Sequence, residues 1–194
     1  METLTEKTKY SYGEYLELER SSEVRYEFWN GEVFAMAGGT KKHNRIIFNI
    51  AKLIDDAFGK KGCNVFQSDI KLELEKENYY VYPDLILSCD VADDDSYVVR
   101  KPSLIVEVLS KTTETYDRSV KLAQYRKLKS LRYYLLVSQV APYIEIYSRA
   151  NENDLFTYDV AEGPEAVVDL AALDFALPVS KVYEYIEFGD EGEM

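Results

Sequence analysis

The sequence predicts an α/β fold: a mixed β-sheet flanked by helices, ordered helix, strand, strand, strand, helix, strand, and preceded by an N-terminal helix and hairpin. Three observations predict it. From His43 to Phe58 the residues Ile46, Ile47, Ile50, Leu53, Ile54 and Ala57 recur at helical spacing. Runs rich in apolar, β-branched and aromatic residues follow at 64–74, 79–88 and 104–110. A second helical pattern, from Tyr116 to Lys129 through Val120, Ala123 and Leu128, separates the 104–110 strand from Tyr133–Ser138. Strand, helix, strand in that order favours a parallel, right-handed crossover.

Each element has a local reason. Tyr10 to Glu19 carries apolar positions at helical spacing after Thr8, predicting a short first helix. Arg25–Trp29 and Glu32–Met36 flank Asn30-Gly31, the pair favoured in a tight hairpin because both residues accept positive φ. Gly38-Gly39-Thr40 interrupts the pattern before the 43–58 helix, which should end near Gly59 and bury one side. The three strand runs read as a meander, divided by the charged turn Lys76-Glu77-Asn78 and the acidic loop Asp90 to Ser96. Tyr143–Arg149 and Leu155–Tyr158 predict an edge hairpin, Val167–Leu170 a short strand, and Val179–Phe188 a closing helix. Without a repeat, a low-complexity tract or a linker, residues 1–194 read as a single domain whose core spans about 41–138.

Composition narrows the function classes. The apolar stretches are far shorter than the roughly 20 residues needed to cross a bilayer, and Met1–Lys9 has no signal-peptide core, so a soluble cytoplasmic chain without a membrane partner is expected. Cys63 and Cys89 are too few for a disulfide framework and lack the partners of a zinc site, which predicts two reduced thiols. The net charge of −12 opposes generic attraction to a polyphosphate, although local Lys and Arg clusters and a divalent cation can reverse the field inside one cleft. Asp93, Asp94, Asp95, Asp190, Glu191 and Glu193 read as solvated surface.

Two acids stand out because they interrupt apolar strands: Glu107 within Leu104–Leu109, and Asp84 within Val81–Leu87. Burying an ionised carboxylate costs several kcal/mol, so such acids imply a cation, a shared proton or a water-filled cleft. Side chains alternate along strands, placing Asp84 with Tyr82 and Ile86, and Glu107 with Ile105 and Leu109; on neighbouring strands the two acids can converge. Paired carboxylates completed by water hold Mg²⁺ for phosphodiester chemistry. Equally, each acid could cap a strand end or pair with an arginine.

The order helix, strand, strand with Pro83-Asp84, strand with Glu107, helix, strand resembles the core of the restriction-endonuclease-like PD-(D/E)XK nuclease superfamily. More closely, Tyr26-Glu27 with Asn30-Gly31-Glu32, Gly38-Gly39-Thr40 and His43, Tyr82-Pro83-Asp84, and Glu107-Val108-Leu109-Ser110 with Thr113, Asp117, Lys121 and Tyr125 resemble the Uma-two family of bacterial endonucleases. The likeness runs from about Tyr10 to Ser138 and on toward the C-terminus. It implies a restriction-endonuclease-like core and a Mg²⁺- or Mn²⁺-dependent endonuclease acting on DNA, with RNA as the other substrate to consider. Asp84, Glu107 and the Val108 carbonyl would bind metal, and Glu27 would complete the shell. A homodimer would suit cleavage of both strands of a duplex.

One departure matters. The superfamily's usual lysine, two residues after the glutamate, is Leu109 in this chain. Lys121 on the following helix is the substitute that the resemblance suggests, to stabilise developing charge or help deprotonate water; otherwise it is a surface lysine paired with Asp117 one turn earlier. Glu27, apart from the resemblance, would be a cross-strand partner for Arg25 or a nearby lysine. His43, three residues before Ile46, reads as a packed core imidazole; the positive end of its helix disfavours an imidazolium, and the resemblance makes it a candidate site residue. Gln67 could orient water or phosphate, and the tyrosines read as core and edge packing rather than a stacking surface. Gly38-Gly39 lacks the lysine and serine of a phosphate-binding loop. Leu109 and the negative charge also support a rival reading, a catalytically inactive nuclease-fold binding or regulatory protein.

Overall fold

The acids that interrupt the strands lie where two sheets meet. A computed structural model describes residues 9–36, 38–90, 92 and 95–189. Its elements are α1 (Tyr12–Ser21), β1 (Tyr26–Trp29), β2 (Glu32–Ala35), α2 (Lys41–Phe58), β3 (Asn64–Gln67), β4 (Lys71–Glu75), β5 (Tyr79–Val81), β6 (Leu85–Ser88), β7 (Val98–Val99) and β8 (Leu104–Val108). There follow α3 (Glu114–Tyr116), a π turn (Asp117–Lys121), α4 (Leu122–Tyr125), β9 (Tyr133–Val137), β10 (Tyr143–Ser148), β11 (Thr157–Glu162), β12 (Val167–Leu170), β13 (Phe175–Pro178) and α5 (Val179–Val182). Among the described residues the strands form a five-stranded sheet ordered β2-β1-β5-β4-β7, a six-stranded sheet ordered β11-β10-β9-β8-β6-β3, and the pair β12-β13.

Local chemistry accounts for the first elements. Ser11 caps α1 in a reciprocal box with Glu14, satisfying otherwise orphaned N–H groups. Asn30 and Gly31, with φ of 47° and 91°, close the β1–β2 hairpin as its sequence demands. The Thr40 side chain caps α2 by accepting from the His43 N–H.

The expected meander is corrected. The run 64–74 breaks at Ser68, which has φ of 49°, and the run 79–88 breaks at Tyr82-Pro83-Asp84. Pro83 has no N–H to donate to a ladder. One long hairpin therefore contributes β4 and β5 to the five-stranded sheet and β3 and β6 to the six-stranded sheet. The Ser68 N–H donates to the Asp84 carbonyl at 3.2 Å across the bend. The parallel pairing expected of the crossover is present: β8 pairs parallel with β9.

Packing fixes these layers. One face of the six-stranded sheet, including Leu85, Leu104, Val106 and Leu135, receives α2 through Ile46, Ile50 and Ile54. Each such isoleucine contributes about 1.5–3 kcal/mol on burial. The opposite face, including Ile86, Ile105, Leu109 and Leu136, packs against Trp29, Leu72, Val81 and Tyr125. Buried Tyr80, Tyr82, Tyr133 and Tyr134 match the packing role expected of the tyrosines.

Other expectations change. Val179–Phe188 supplies only one helical turn, α5, before Tyr185 turns with φ of 64°. The crossover helix ends at Tyr125 rather than Lys129, and Val120 and Ala123, expected on its apolar face, point to solvent. Cys63 and Cys89 form a disulfide instead of two thiols. Asn64 pairs with Ser88 in the antiparallel β3–β6 ladder, so the next pair outward is Cys63 and Cys89. β7 and β13 were not expected. No helix among the described residues is long and apolar enough to cross a membrane. Of the acids assigned to solvent, Asp95 is exposed, while Asp93, Asp94, Asp190, Glu191 and Glu193 lie outside the described residues.

Candidate active site

Glu107 sits near the end of β8, a central strand, on the face that carries Ile105 and Leu109. Asp84 stands at the hairpin bend just before β6, which pairs antiparallel with β8. That adjacency brings the acids together: the Asp84 N–H donates to Glu107 Oε2 at 3.3 Å, and the Val108 N–H donates to Asp84 Oδ2 at 2.7 Å. Both acids line a cavity of about 410 Å³ together with Glu27, His43, Val108, Asp117 and Lys121.

Lys121 is no surface lysine. It is 6% exposed, and its ammonium lies 2.9 Å from Glu107, 3.3 Å from Asp117 and 3.4 Å from Glu27. The i,i+4 pairing with Asp117 exists, but as one arm of a buried cluster. A residue four positions ahead overshoots an α turn by about 40°. The wider i→i+5 turn makes it fall short instead. Asp117 to Lys121 spans the π turn and Lys121 to Tyr125 spans α4, so the opposite drifts offset and three polar side chains line up inward. Val120 is correspondingly 42% exposed.

Glu27 is buried on β1, and its charged partner is a lysine, Lys121 of the π turn, rather than Arg25. Its Oε1 accepts from the Tyr82 N–H at 3.3 Å and faces Lys121, while Oε2 accepts from Trp29 Nε1 at 3.4 Å. His43 Nε2 lies 3.1 Å from Asp84 Oδ2; because a carboxylate only accepts, the proton belongs on Nε2. Its Nδ1 is buried without a hydrogen-bond partner. A Cβ at Gly39 would come within 2.6 Å of that atom, which is why glycine stands there. His43 thus holds Asp84 in place through Nε2 and keeps Nδ1 without a hydrogen-bond partner. Gln67 is exposed and stays outside the cavity lining.

Electrostatics follow from burial. Desolvation pushes Glu107 up to about 8 against the pull of the Lys121 ammonium, and the carboxylates of Asp117 and Asp84 push it the same way. Burial alone would lower Lys121, but Glu107, Glu27 and Asp117 together outweigh it and hold the ammonium well above the ordinary lysine range. At neutral pH Lys121 is therefore a fixed positive charge rather than a base. Burial, and then the Glu107 charge, keep the Tyr125 hydroxyl protonated, and it donates to Glu107 Oε1 at 2.9 Å.

Asp84 and Glu107 offer the hard oxygen donors that a divalent cation takes. Glu27, Glu107 and Asp117 stand around the ammonium of Lys121, and Asp84 lines the same cavity, so the carboxyl groups outnumber the cation they share. Among the described residues, hydrogen bonds reach only Oδ2 of Asp84, leaving Oδ1 available beside the cavity. No group of three or more His, Cys, Asp and Glu side chains among the described residues is assembled at metal-holding distance. Any such ion would complete its shell with water, as Mg²⁺ commonly does.

The motif residues Asp117 and Tyr125, to which sequence reading gave no catalytic role, belong to this cluster. So do less legible ones. Gln139 after β9 donates to the Leu109 carbonyl at 2.7 Å and accepts from Thr40 at 2.9 Å, tying the cavity rim together. The inward Asp117, Lys121, Tyr125 line was the available signal for the first two. Gln139 gave none.

Known proteins share this architecture and sequence. The crystal structure of a "putative nuclease belonging to DUF820" from Anabaena variabilis ATCC 29413 superposes with a TM-score of 0.74 at 13% identity, covering 92% of this chain and 99% of that one. The uncharacterized protein slr1290 of Synechocystis sp. (strain ATCC 27184 / PCC 6803 / Kazusa) is 31% identical over 181 residues, 93% of this chain and 94% of its own. The uncharacterized protein sll1609 of the same organism is 32% identical over 156 residues, 78% and 88% respectively. A family profile described as "Uma2: Putative restriction endonuclease" matches residues 12–180, taking in every element from α1 to the start of α5 and all the residues that line the cavity. The chain belongs to the Uma2 family.

Proposed function

We propose that the cavity hydrolyses phosphodiester bonds of DNA with the help of a divalent ion, Mg²⁺ or Mn²⁺. The observation that carries this reading is the meeting of Asp84 and Glu107, far apart in sequence, beside a buried and permanently charged Lys121. Family membership supports a nuclease function. Asp84, Glu107 and the carbonyl of Val108 would hold the ion, with Glu27 at the edge of the shell. The ion would supply Lewis acidity and lower the pKa of a water molecule.

The protein's own groups do the rest. Lys121 presents positive charge to an anionic phosphate as further charge develops on it. Asp117 and Glu27 hold that ammonium in one place, and His43 fixes the rotation of the Asp84 carboxylate. Two copies of such a single-site chain would serve both strands of a duplex.

Mn²⁺-dependent nicking of supercoiled plasmid tests the reading. Asp84→Ala should abolish nicking while circular dichroism and the melting temperature stay near the parent's; unchanged nicking refutes the assignment. Leu109, buried where the superfamily's usual lysine would stand, favours the second reading of an inactive binding scaffold. Calorimetry separates the two, because the nuclease reading requires Mn²⁺ binding that Glu107→Ala weakens, whereas an inactive scaffold binds its partner without metal.

A further inference from the structure

On the far side of the first turns of α2 from His43 lies a shallow groove of about 290 Å³, lined by Lys41, Lys42, Arg45, Tyr185, Ile186 and Glu187. Its cations are conspicuous in a chain of net charge −12. They also stand at the N-terminal end of an 18-residue helix whose first turn holds no acidic residue. The helix dipole is positive there, so lysines in that turn cost stability rather than adding it. Among the described residues none of Lys41, Lys42 and Arg45 makes an ion pair with a carboxylate. Instead Lys42 lies 6.0 Å from the Phe188 ring centre and Arg45 lies 5.6 Å from that of Phe48. Tyr185 is 83% exposed and adopts φ of 64°, a conformation that bulky side chains rarely take.

Three cations without a carboxylate partner among the described residues stand at an unfavourable helix end beside the exposed ring of Tyr185, a combination that stability of the helix does not explain. The same helix end supplies Thr40 and His43 to the cavity, so groove and cavity share one turn. We propose that this groove is a binding site for the sugar–phosphate backbone of the nucleic acid on one side of the bond to be cut. Lys41, Lys42 and Arg45 contact phosphates, and Tyr185 lies against a sugar or an unstacked base. Glu187 opposes the phosphates and limits the affinity. The inference rests on the nuclease reading of the cavity and extends it to the substrate's path.

Fluorescence anisotropy with a labelled duplex oligonucleotide, in buffer containing EDTA so that nothing is cut, tests the groove. The triple variant Lys41→Gln, Lys42→Gln, Arg45→Gln should bind more weakly and melt no lower than the parent, since the cations it loses were unfavourable to the helix. Each phosphate contact contributes about 0.9 to the slope of log K against log salt, so three lost contacts lower the slope by about 2.7. Between 50 and 200 mM salt the parent should therefore lose roughly 40-fold more affinity than the variant. Glu187→Gln should bind several-fold more tightly. Lys60→Gln, Lys61→Gln, which removes a basic pair at the opposite end of α2, should bind as the parent does. A triple variant with parental affinity and slope overturns the groove while leaving the cavity's chemistry standing, and so does an equal loss in the Lys60, Lys61 variant. If the parent neither binds duplex nor nicks plasmid, the nuclease reading fails and the groove fails with it.

Discussion

Replacing Lys121 by methionine removes the ammonium that faces Glu27, Glu107 and Asp117, whose side chains are only 2–5% exposed. Methionine keeps most of the volume, so the perturbation is electrostatic. Removing one partner of a buried ion pair costs about 3–5 kcal/mol, because the other is left buried and uncompensated. In a domain of this size each kcal/mol moves the melting temperature by about 2–4 °C, giving an expected drop of roughly 6–20 °C at pH 8. The sign of the pH dependence follows from the carboxylates. Without Lys121 the folded-state pKa of Glu107, already raised by burial, rises further above that of the unfolded chain, so the folded state binds more protons between the two values. Stability of the variant should therefore fall as pH rises from about 4.3, the unperturbed glutamate value, toward 8 and beyond. Differential scanning calorimetry of parent and variant at pH 5.5 and pH 8 reads this directly. A drop of under about 2 °C at pH 8, or equal drops at both pH values, would refute the claim that Lys121 neutralises a buried acidic cluster.

Three further outcomes are expected. Glu107 must lose its proton to ligate a cation, so Mn²⁺ affinity measured by calorimetry should rise close to tenfold per pH unit below about 8 and level off above it; a flat profile from pH 6 to 8 contradicts a protonated Glu107. Gly39→Ala puts a Cβ 2.6 Å from His43 Nδ1, which should displace the imidazole from Asp84, cost about 1–3 kcal/mol and reduce nicking; an unmoved His43 ring resonance would count against that contact. The disulfide closes a loop across a 26-residue separation, and the chain-entropy relation gives about 3.5 kcal/mol for it. Reduction should therefore lower the melting temperature by roughly 7–14 °C, and thiol labelling of the folded protein without reductant should find neither Cys63 nor Cys89 free.

Legibility followed the range of each interaction. The β1–β2 turn and α2 announced themselves because Asn30-Gly31 and the 46–57 isoleucine pattern are determined within a few residues. The convergence of Asp84 with Glu107 was accessible for a similar reason: once β6 and β8 are neighbours, alternation decides the face. The bend at Ser68 and Pro83 was not, because whether a long hairpin stays in one sheet or divides between two depends on what packs beneath it. The disulfide was not legible from two cysteines alone, because their pairing depends on the β3–β6 register that brings Cys63 opposite Cys89. Helical periodicity misplaced Val120 and Ala123 because a π turn shifts the inward face by part of a turn, and nothing in a 3.6-residue pattern signals that shift. Gln139 acts through the Leu109 carbonyl, a partner that residue type alone does not suggest.

The divided hairpin also governs how the cavity can deform. Because both of its arms bend from one sheet into the other, the sheets cannot twist against each other without flexing the Ser68 and Tyr82–Asp84 elbows. Glu107, carried on a central strand of the six-stranded sheet, would hardly move in such a twist, whereas Asp84 and Glu27 sit on or beyond the elbow. The spacing of the acids is thus a readout of inter-sheet angle, and a ligand bridging them would act as a strut between the two halves of the molecule.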